Sequence, residues 1–172
     1  MQTPLVMTVI GPDRTGLVES IARLVAEHGG NWLESRMCRL GGEFAGILRI
    51  YIPAKNRAAL EIALNRLENL TVVVRVDSAA TGGAERHFAS LDIIGQDRTG
   101  IVREITAALA ALGVNVEDFT SECTSAPMSG EPLFQARAKL LLPKGIGLNT
   151  LRPALERAAS EIGVEFTLTE IK

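Results

Sequence analysis

The sequence predicts an α+β fold built from two copies of one βαββαβ unit. The first observation is a hexapeptide, Gly11–Gly16 (GPDRTG), which returns 84 residues later as Gly95–Gly100 (GQDRTG), with five of its six residues identical. The second is that strand-like and helix-like patterns of apolar residues follow both copies in the same order. A repeat of this period indicates that one supersecondary unit occurs twice.

In the first unit the apolar periodicity predicts six elements. They are strand Leu5–Ile10, helix Leu17–His28, strand Asn31–Leu40, strand Phe44–Ile52, a helix with its apolar face at Leu60, Ala63, Leu64 and Leu67, and strand Thr71–Val76. The first strand is apolar on both faces, which places it centrally in its sheet. Gly29-Gly30 ends the first helix, Gly41-Gly42 makes a tight hairpin, and Pro53 closes the third strand.

The second unit repeats this order. Its predicted elements are strand Phe88–Ile94, a helix over residues 101–112, a strand starting at Asn115, strand Phe134–Leu142, a helix opening at Arg152-Pro153, and strand Val164–Ile171. Its hairpin is longer, because Ser125–Gly130 replaces a Gly-Gly turn. That segment, within loop 125–132, is a functional insertion or a tolerated surface insertion, and the sequence favours neither.

We therefore predict domain 1 at residues 1–78, a small polar linker at 79–86, and domain 2 at 87–172. Each domain is expected to be ferredoxin-like: a four-stranded antiparallel sheet with two helices on one face. Units of this size have modest cores, so we expect the two to pair about a pseudo-twofold axis. The remaining surfaces would then join chains into a dimer or another homo-oligomer.

The amino-acid composition limits the classes of function that the chain could have. The 172 residues carry 18 basic and 20 acidic side chains, a net charge of −2, which gives no general attraction to nucleic acid or anionic lipid. Hydrophobic residues make up 47% and aromatic residues 4%, so the cores are aliphatic. We expect a cytoplasmic protein, because the chain shows neither a leader nor an apolar run that could span a membrane.

Cysteine and histidine give no sign of a metal site or a cofactor, because neither Cys38 and Cys123 nor His28 and His87 have ligand spacing. Cys38 and Cys123 hold nearly equivalent positions, and we expect buried, reduced small hydrophobes there in preference to a redox pair. His28 lies on the apolar helix face and is expected to be a satisfied core or edge histidine. Trp32 is expected to pack on the core, with a role as a domain-interface anchor as the alternative.

The repeated turn carries groups that could bind a small charged ligand. A strand-to-helix turn uses glycine for its backbone angles and, we predict, Asp or Thr to cap the helix. Unpaired N–H groups at a helix start suit a carboxylate. The side chains of Asp13 and Asn31, or of Asp97 and Asn115, could receive an ammonium group. Together these features describe a site for a free amino acid, although the same residue types also serve as plain caps and turns.

The motif G-x-D-R-T-G between a strand and a helix, followed by a glycine helix stop and an Asn-apolar strand start, resembles the ACT domain. The whole chain is similar to the tandem-ACT family that includes the glycine cleavage system transcriptional repressor. The segments Ser35–Ala45 and Ala126–Phe134 are similar to the two hairpins of that family. The resemblance covers nearly all of the 172 residues.

In ACT domains an amino acid lies between two paired domains, against this turn and the start of the second strand. The resemblance therefore implies a set of ligand-binding residues in both copies. They are Gly11, Asp13, Arg14, Thr15, Gly16 and Asn31, with Gly95, Asp97, Arg98, Thr99, Gly100 and Asn115.

These observations favour a non-catalytic regulatory protein that senses an amino acid, glycine or serine first. The resemblance implies a protein partner, a transcription activator, rather than direct binding of nucleic acid, since the chain has no helix-turn-helix or zinc-finger pattern. A ligand-free oligomerisation scaffold is one alternative. An enzyme of amino-acid metabolism is another, less favoured because catalytic triad, P-loop and dinucleotide-binding patterns are missing from the sequence.

Overall fold

The computed structural model describes residues 1–77, 86–126 and 130–171. The chain divides into two compact units, Met1–Thr81 and Gly82–Lys172. The predicted linker 79–86 lies outside the described residues except for Arg86.

Each unit has the predicted βαββαβ order. The first contains β1 (Gln2–Pro12), α1 (Leu17–Glu27), β2 (Asn31–Leu40), β3 (Glu43–Pro53), a 3₁₀ turn (Ala54–Asn56), α2 (Arg57–Asn65) and β4 (Thr71–Val76). The second contains β5 (His87–Gln96), α3 (Ile101–Ala111), β6 (Asn115–Ser125), β7 (Pro132–Leu142), α4 (Leu148–Ile162) and β8 (Val164–Ile171).

The two sheets have the same topology, with strand orders β2-β3-β1-β4 and β6-β7-β5-β8, and the pairs are antiparallel. The first strand of each unit is therefore central, which the two apolar faces of β1 predicted for the first unit. Two helices cover one face of each sheet, and the predicted ferredoxin-like fold is confirmed.

The two-residue period of β1 and the helical period of α1 both place apolar side chains in the first core. Along β1, alternate residues Leu5, Met7 and Val9 are completely buried. On α1 the buried residues are Leu17, Ile21 and Val25, four apart, which is one face of a helix. The second core repeats the arrangement with aliphatic side chains from β5, β7, α3 and α4. Each unit thus has an apolar core of its own.

The last helix differs from its prediction. α4 begins at Leu148, not at Arg152-Pro153, so Pro153 lies inside the helix. The reason is burial: Leu151 is completely buried, and its N–H donates to the Gly147 carbonyl at 3.1 Å. The core thus requires helix before the proline, which local propensity alone places at a helix start.

The two hairpins differ as predicted. Gly41 and Gly42 have φ of 60° and 86°, angles that glycine adopts at little cost, and they join β2 to β3. In the second unit the Ala126 N–H donates to the Glu131 carbonyl at 2.8 Å and continues the β6–β7 hairpin. Residues 127–129 of the predicted insertion lie outside the described residues.

Candidate functional site

Turn 1 (Gly11–Gly16) and turn 2 (Gly95–Gly100) lie beside the hairpin of their own unit. The Asp13 N–H donates to the Gly42 carbonyl, and the Asp97 N–H donates to the Pro132 carbonyl, each at 2.9 Å. Each turn and its neighbouring hairpin therefore form one surface at one end of the sheet. These two aspartate N–H groups are already engaged and are not available to a ligand.

The two glycines of each turn serve different purposes. Gly16 and Gly100 have φ of 82° and 99°, the left-handed region that glycine adopts freely. Gly11 and Gly95 are strand residues that allow close packing: a Cβ on Gly95 would lie 2.7 Å from Cγ1 of Val164. The prediction that glycine supplies unusual backbone angles is confirmed for the second glycine of each turn only.

The prediction that Asp or Thr caps the helix is wrong. Gly16 and Gly100 occupy the cap positions of α1 and α3, and no side-chain hydrogen bond caps either helix start in the described part of the chain. The left-handed glycine replaces the extended residue that a side-chain cap requires. The helix starts are therefore uncovered by side-chain caps, which leaves their positive ends open to an anion.

The Asp13 carboxylate binds an arginine instead. Its Oδ2 lies 2.7 Å from Nε of Arg39, near the end of β2. The Asp13 side chain is 33% exposed and that of Arg39 is 66% exposed, so this ion pair lies at the surface. It ties turn 1 to the strand that leads into the hairpin.

The Asp97 carboxylate has a different neighbour, the thiol of Cys123 on β6. Desolvation raises the pKa of the Cys123 thiol, and Asp97 raises it further through its negative charge and the hydrogen bond between the two side chains. The thiol is therefore protonated at neutral pH and donates to the carboxylate. Among the described residues, Asp97 forms no ion pair.

The contact between Asp97 and Cys123 predicts how fast the Cys123 thiol is alkylated. In a Cys38→Ser background, Asp97→Asn should speed alkylation of Cys123 by iodoacetamide at pH 8, because losing the carboxylate lowers the thiol pKa and raises the thiolate fraction. We expect a rise of about threefold or more in the rate constant. The pH dependence of that rate, measured by mass spectrometry, should shift to lower pH. Asp92→Asn is the control, and an unchanged profile in Asp97→Asn would contradict the contact.

The burial predicted for the cysteines is wrong, because both are exposed free thiols. They are also not equivalent: Cys38 lies opposite Ala45, whereas Cys123 lies opposite Phe134. Residues in a strand alternate between faces, so a spacing that is one residue off changes the environment completely. Burial could not be inferred because β2 and β6 are edge strands.

The arginines of the two turns also differ. Nη1 of Arg98 donates to the carbonyl of Ile162, the last residue of α4, at 3.1 Å, which satisfies a helix end and complements its dipole. Arg14 is exposed, and within the described ranges its side chain has no hydrogen bond or ion pair, although its carbonyl accepts from the Leu17 N–H at 3.4 Å. Thr15 and Thr99 are exposed.

The asparagines lie at the other end of each sheet. Asn31 pairs with Tyr51 of β3, whereas Gly11 pairs with Phe44, seven residues along the same strand. At about 3.3 Å per residue the separation is about 23 Å. Asn115 has the corresponding place in the second unit, and its amide donates to Glu117 Oε1 at 2.7 Å. One small amino acid cannot contact both the turn and the asparagine of the same unit.

A feature that the sequence did not indicate follows each asparagine. The β2–β3 register shifts between Trp32 and Glu34, and the β6–β7 register shifts between Val116 and Asp118. These bulges occupy equivalent positions, yet the extra residues, Leu33 and Glu117, share no chemistry that would reveal them.

The predictions for His28 and Trp32 are confirmed. His28 is half-buried, and its Nδ1 donates to the Leu24 carbonyl at 2.8 Å. Trp32 packs on the first core, and its indole N–H donates to Ser35 Oγ at 3.3 Å.

The helix-free face of each sheet is concave. In the second unit a depression of about 680 Å³ includes the ion pair of Arg137 Nε and Asp92 Oδ1, 2.5 Å apart. In the first, a depression of about 590 Å³ includes Arg49, whose Nε lies 2.6 Å from Asp77 Oδ2. In the described part of the chain, no His, Cys, Asp and Glu side chains cluster as metal ligands would, and no helix has the length and apolarity to cross a membrane.

Comparison with known proteins agrees with this architecture. A family model described as the ACT domain matches residues 3–77. A crystal structure of an unknown protein from Galdieria sulphuraria is 30% identical, with 100% of both chains covered and a TM-score of 0.87. A candidate glycine cleavage system transcriptional repressor is 20% identical, with 100% of this chain and 99% of the other covered and a TM-score of 0.70. No curated protein matches the chain.

These findings define the class of the protein: its fold is that of a tandem ACT protein, and residues 3–77 match the ACT domain. Over its full length the chain belongs to the same family as the protein from Galdieria sulphuraria.

Proposed function

We propose that this chain is a non-catalytic regulatory protein that binds a free amino acid at a glycine turn and passes the signal to a protein partner. The observation that carries the proposal is the duplicated helix start: α1 and α3 each begin at a glycine without a side-chain cap, close to an aspartate. Membership of residues 3–77 in the ACT family supports it, because ACT domains generally bind amino acids and oligomerise.

The chemistry of a turn matches the two charges of an amino acid. Backbone N–H groups at the helix start and the positive end of the helix dipole attract the carboxylate. The aspartate of the turn attracts the ammonium group. Glycine and serine are the preferred ligands, because the fold resembles that of a candidate glycine cleavage repressor. The asparagine of the same unit does not contribute to such a site, because it lies about 23 Å from the turn.

The net charge of the chain and its likeness to the candidate repressor both support a protein partner. A net charge of −2 does not favour direct contact with nucleic acid. A repressor of this kind would therefore act through a transcription activator. Ligand binding can control that contact only if the ligand prefers one arrangement of the protein over another.

Glycine should raise the thermal midpoint of unfolding. A ligand at a hundred times its dissociation constant stabilises the native state by about 2.7 kcal/mol, which corresponds to a rise of about 5 °C or more for a chain of this size. Differential scanning fluorimetry across the twenty amino acids measures the effect, with glycolate and methylamine as controls that each carry one of the two charges. We expect glycine or serine to give the largest rise and the controls to give little.

Two results would contradict this function. A flat response to all twenty amino acids would favour the ligand-free scaffold. Robust turnover of an amino acid or a phosphorylated metabolite, lost in Asp13→Ala, would favour the enzyme.

A further inference from the structure

The two turns share Asp-Arg-Thr-Gly, but the side chains around them differ. The first aspartate is paired with Arg39, and the second lies against the Cys123 thiol. The difference therefore arises from the second strand of each unit and not from the turn itself.

Strand register shows that Arg39 and Cys123 hold the same place in their units. Gly11 pairs with Phe44, which in turn pairs with Arg39. In the second unit Gly95 pairs with Phe134, which pairs with Cys123. The same three-strand row thus ends on a guanidinium in one unit and on a thiol in the other.

The partners of the charged side chains consequently differ between the two turns. Turn 1 has a carboxylate paired with Arg39, and the Arg14 side chain is exposed without a partner in the part of the chain that the structure describes. Turn 2 has a carboxylate that, among the described residues, forms no ion pair and lies against the Cys123 thiol, while the Arg98 guanidinium donates to the carbonyl at the end of α4. An arriving ammonium group would have to displace Arg39 at turn 1, whereas at turn 2 it replaces a weak thiol hydrogen bond.

We infer that Asp97, and not Asp13, receives the ammonium group of the ligand, so that each chain binds one amino acid at turn 2. This inference rests on the proposed function and adds to it the site and the number of ligands. Cys123 acts as a specificity-determining neighbour, because its protonated thiol leaves the Asp97 charge available.

Isothermal titration calorimetry of the full chain with glycine tests the inference. We expect one glycine per wild-type chain and an affinity about tenfold or more weaker in Asp97→Asn, which loses a charge-assisted contact. Cys123→Arg should weaken binding similarly, because it recreates the Arg39 ion pair beside Asp97. Asp92→Asn, an exposed aspartate on the helix-free face, is the control and should bind as the wild type does.

The outcomes separate the two proposals. Two glycines per chain, or wild-type affinity in Asp97→Asn or Cys123→Arg, would overturn the inference and leave amino-acid sensing intact. An absence of binding by the wild-type chain to glycine, serine and every other standard amino acid would overturn both. Urea denaturation of each variant verifies folding, and Cys123→Arg keeps the test decisive if Asp97→Asn does not fold.

Discussion

Replacing Gly11 by alanine is expected to destabilise the first unit by about 2–4 kcal/mol. A Cβ at this position would overlap the carbonyl oxygen of Asn69 and would lie 3.3 Å from Cα of Leu70. Asn69 has a positive φ of 59°, a conformation that few residues adopt, so its carbonyl has little freedom to move away. Urea denaturation followed by circular dichroism gives the change in the free energy of unfolding.

Two variants make the Gly11 experiment specific. Gly147→Ala adds the same methyl group where φ is −114° and where nothing lies within 4 Å, so it should cost under about 1 kcal/mol. Gly95→Ala should have an intermediate effect, since its Cβ would lie 2.7 Å from Cγ1 of Val164, which can rotate, and 3.0 Å from Cα of Val164, which cannot. Equal stability of Gly11→Ala and Gly147→Ala would show that the close approach to Asn69 is absent.

Truncation of the cores is expected to cost about 2–5 kcal/mol in either unit. Leu48→Ala removes a side chain that is 1% exposed in the first core, and Leu140→Ala removes one that is 0% exposed in the second. Both changes leave cavities in close-packed aliphatic surroundings that contain few aromatic side chains to fill them. Denaturation measured on each variant gives the cost.

Leu40→Ala is the matched control for these truncations. Leu40 lies at the end of β2 and is 81% exposed, so its loss should change the stability by no more than about 0.5 kcal/mol. A comparable cost for Leu40→Ala and Leu48→Ala would contradict the placement of the core between the sheet and its helices.

Much of the fold could be predicted because several independent signals agree. The repeated hexapeptide fixes the duplication, and the alternation along β1 and β3 together with the four-residue spacing on α1 gives the element order. Glycine stops and hairpin glycines are local signals with a direct physical basis. The apolar residues on both faces of β1 also indicated its central position.

The features that the sequence did not predict correctly depend on tertiary contacts. The start of α4 is set by burial of Leu151, which overrides the local preference of Pro153. The environments of Cys38 and Cys123 depend on strand register to a single residue. No periodicity reports that Arg39 binds Asp13 or that Arg98 binds the end of α4, because both contacts join residues distant in sequence.

Titration of the ¹⁵N-labelled chain with glycine, followed by two-dimensional amide NMR, tests most directly whether a small zwitterion binds at a glycine turn. We expect saturable chemical-shift changes at the amides of Gly16 or Gly100 and of their neighbours at the helix start, and little change for methylamine or glycolate. Shifts confined to the helix-free faces, around Thr120 or Ile47, would contradict it, and so would a spectrum that glycine leaves unchanged.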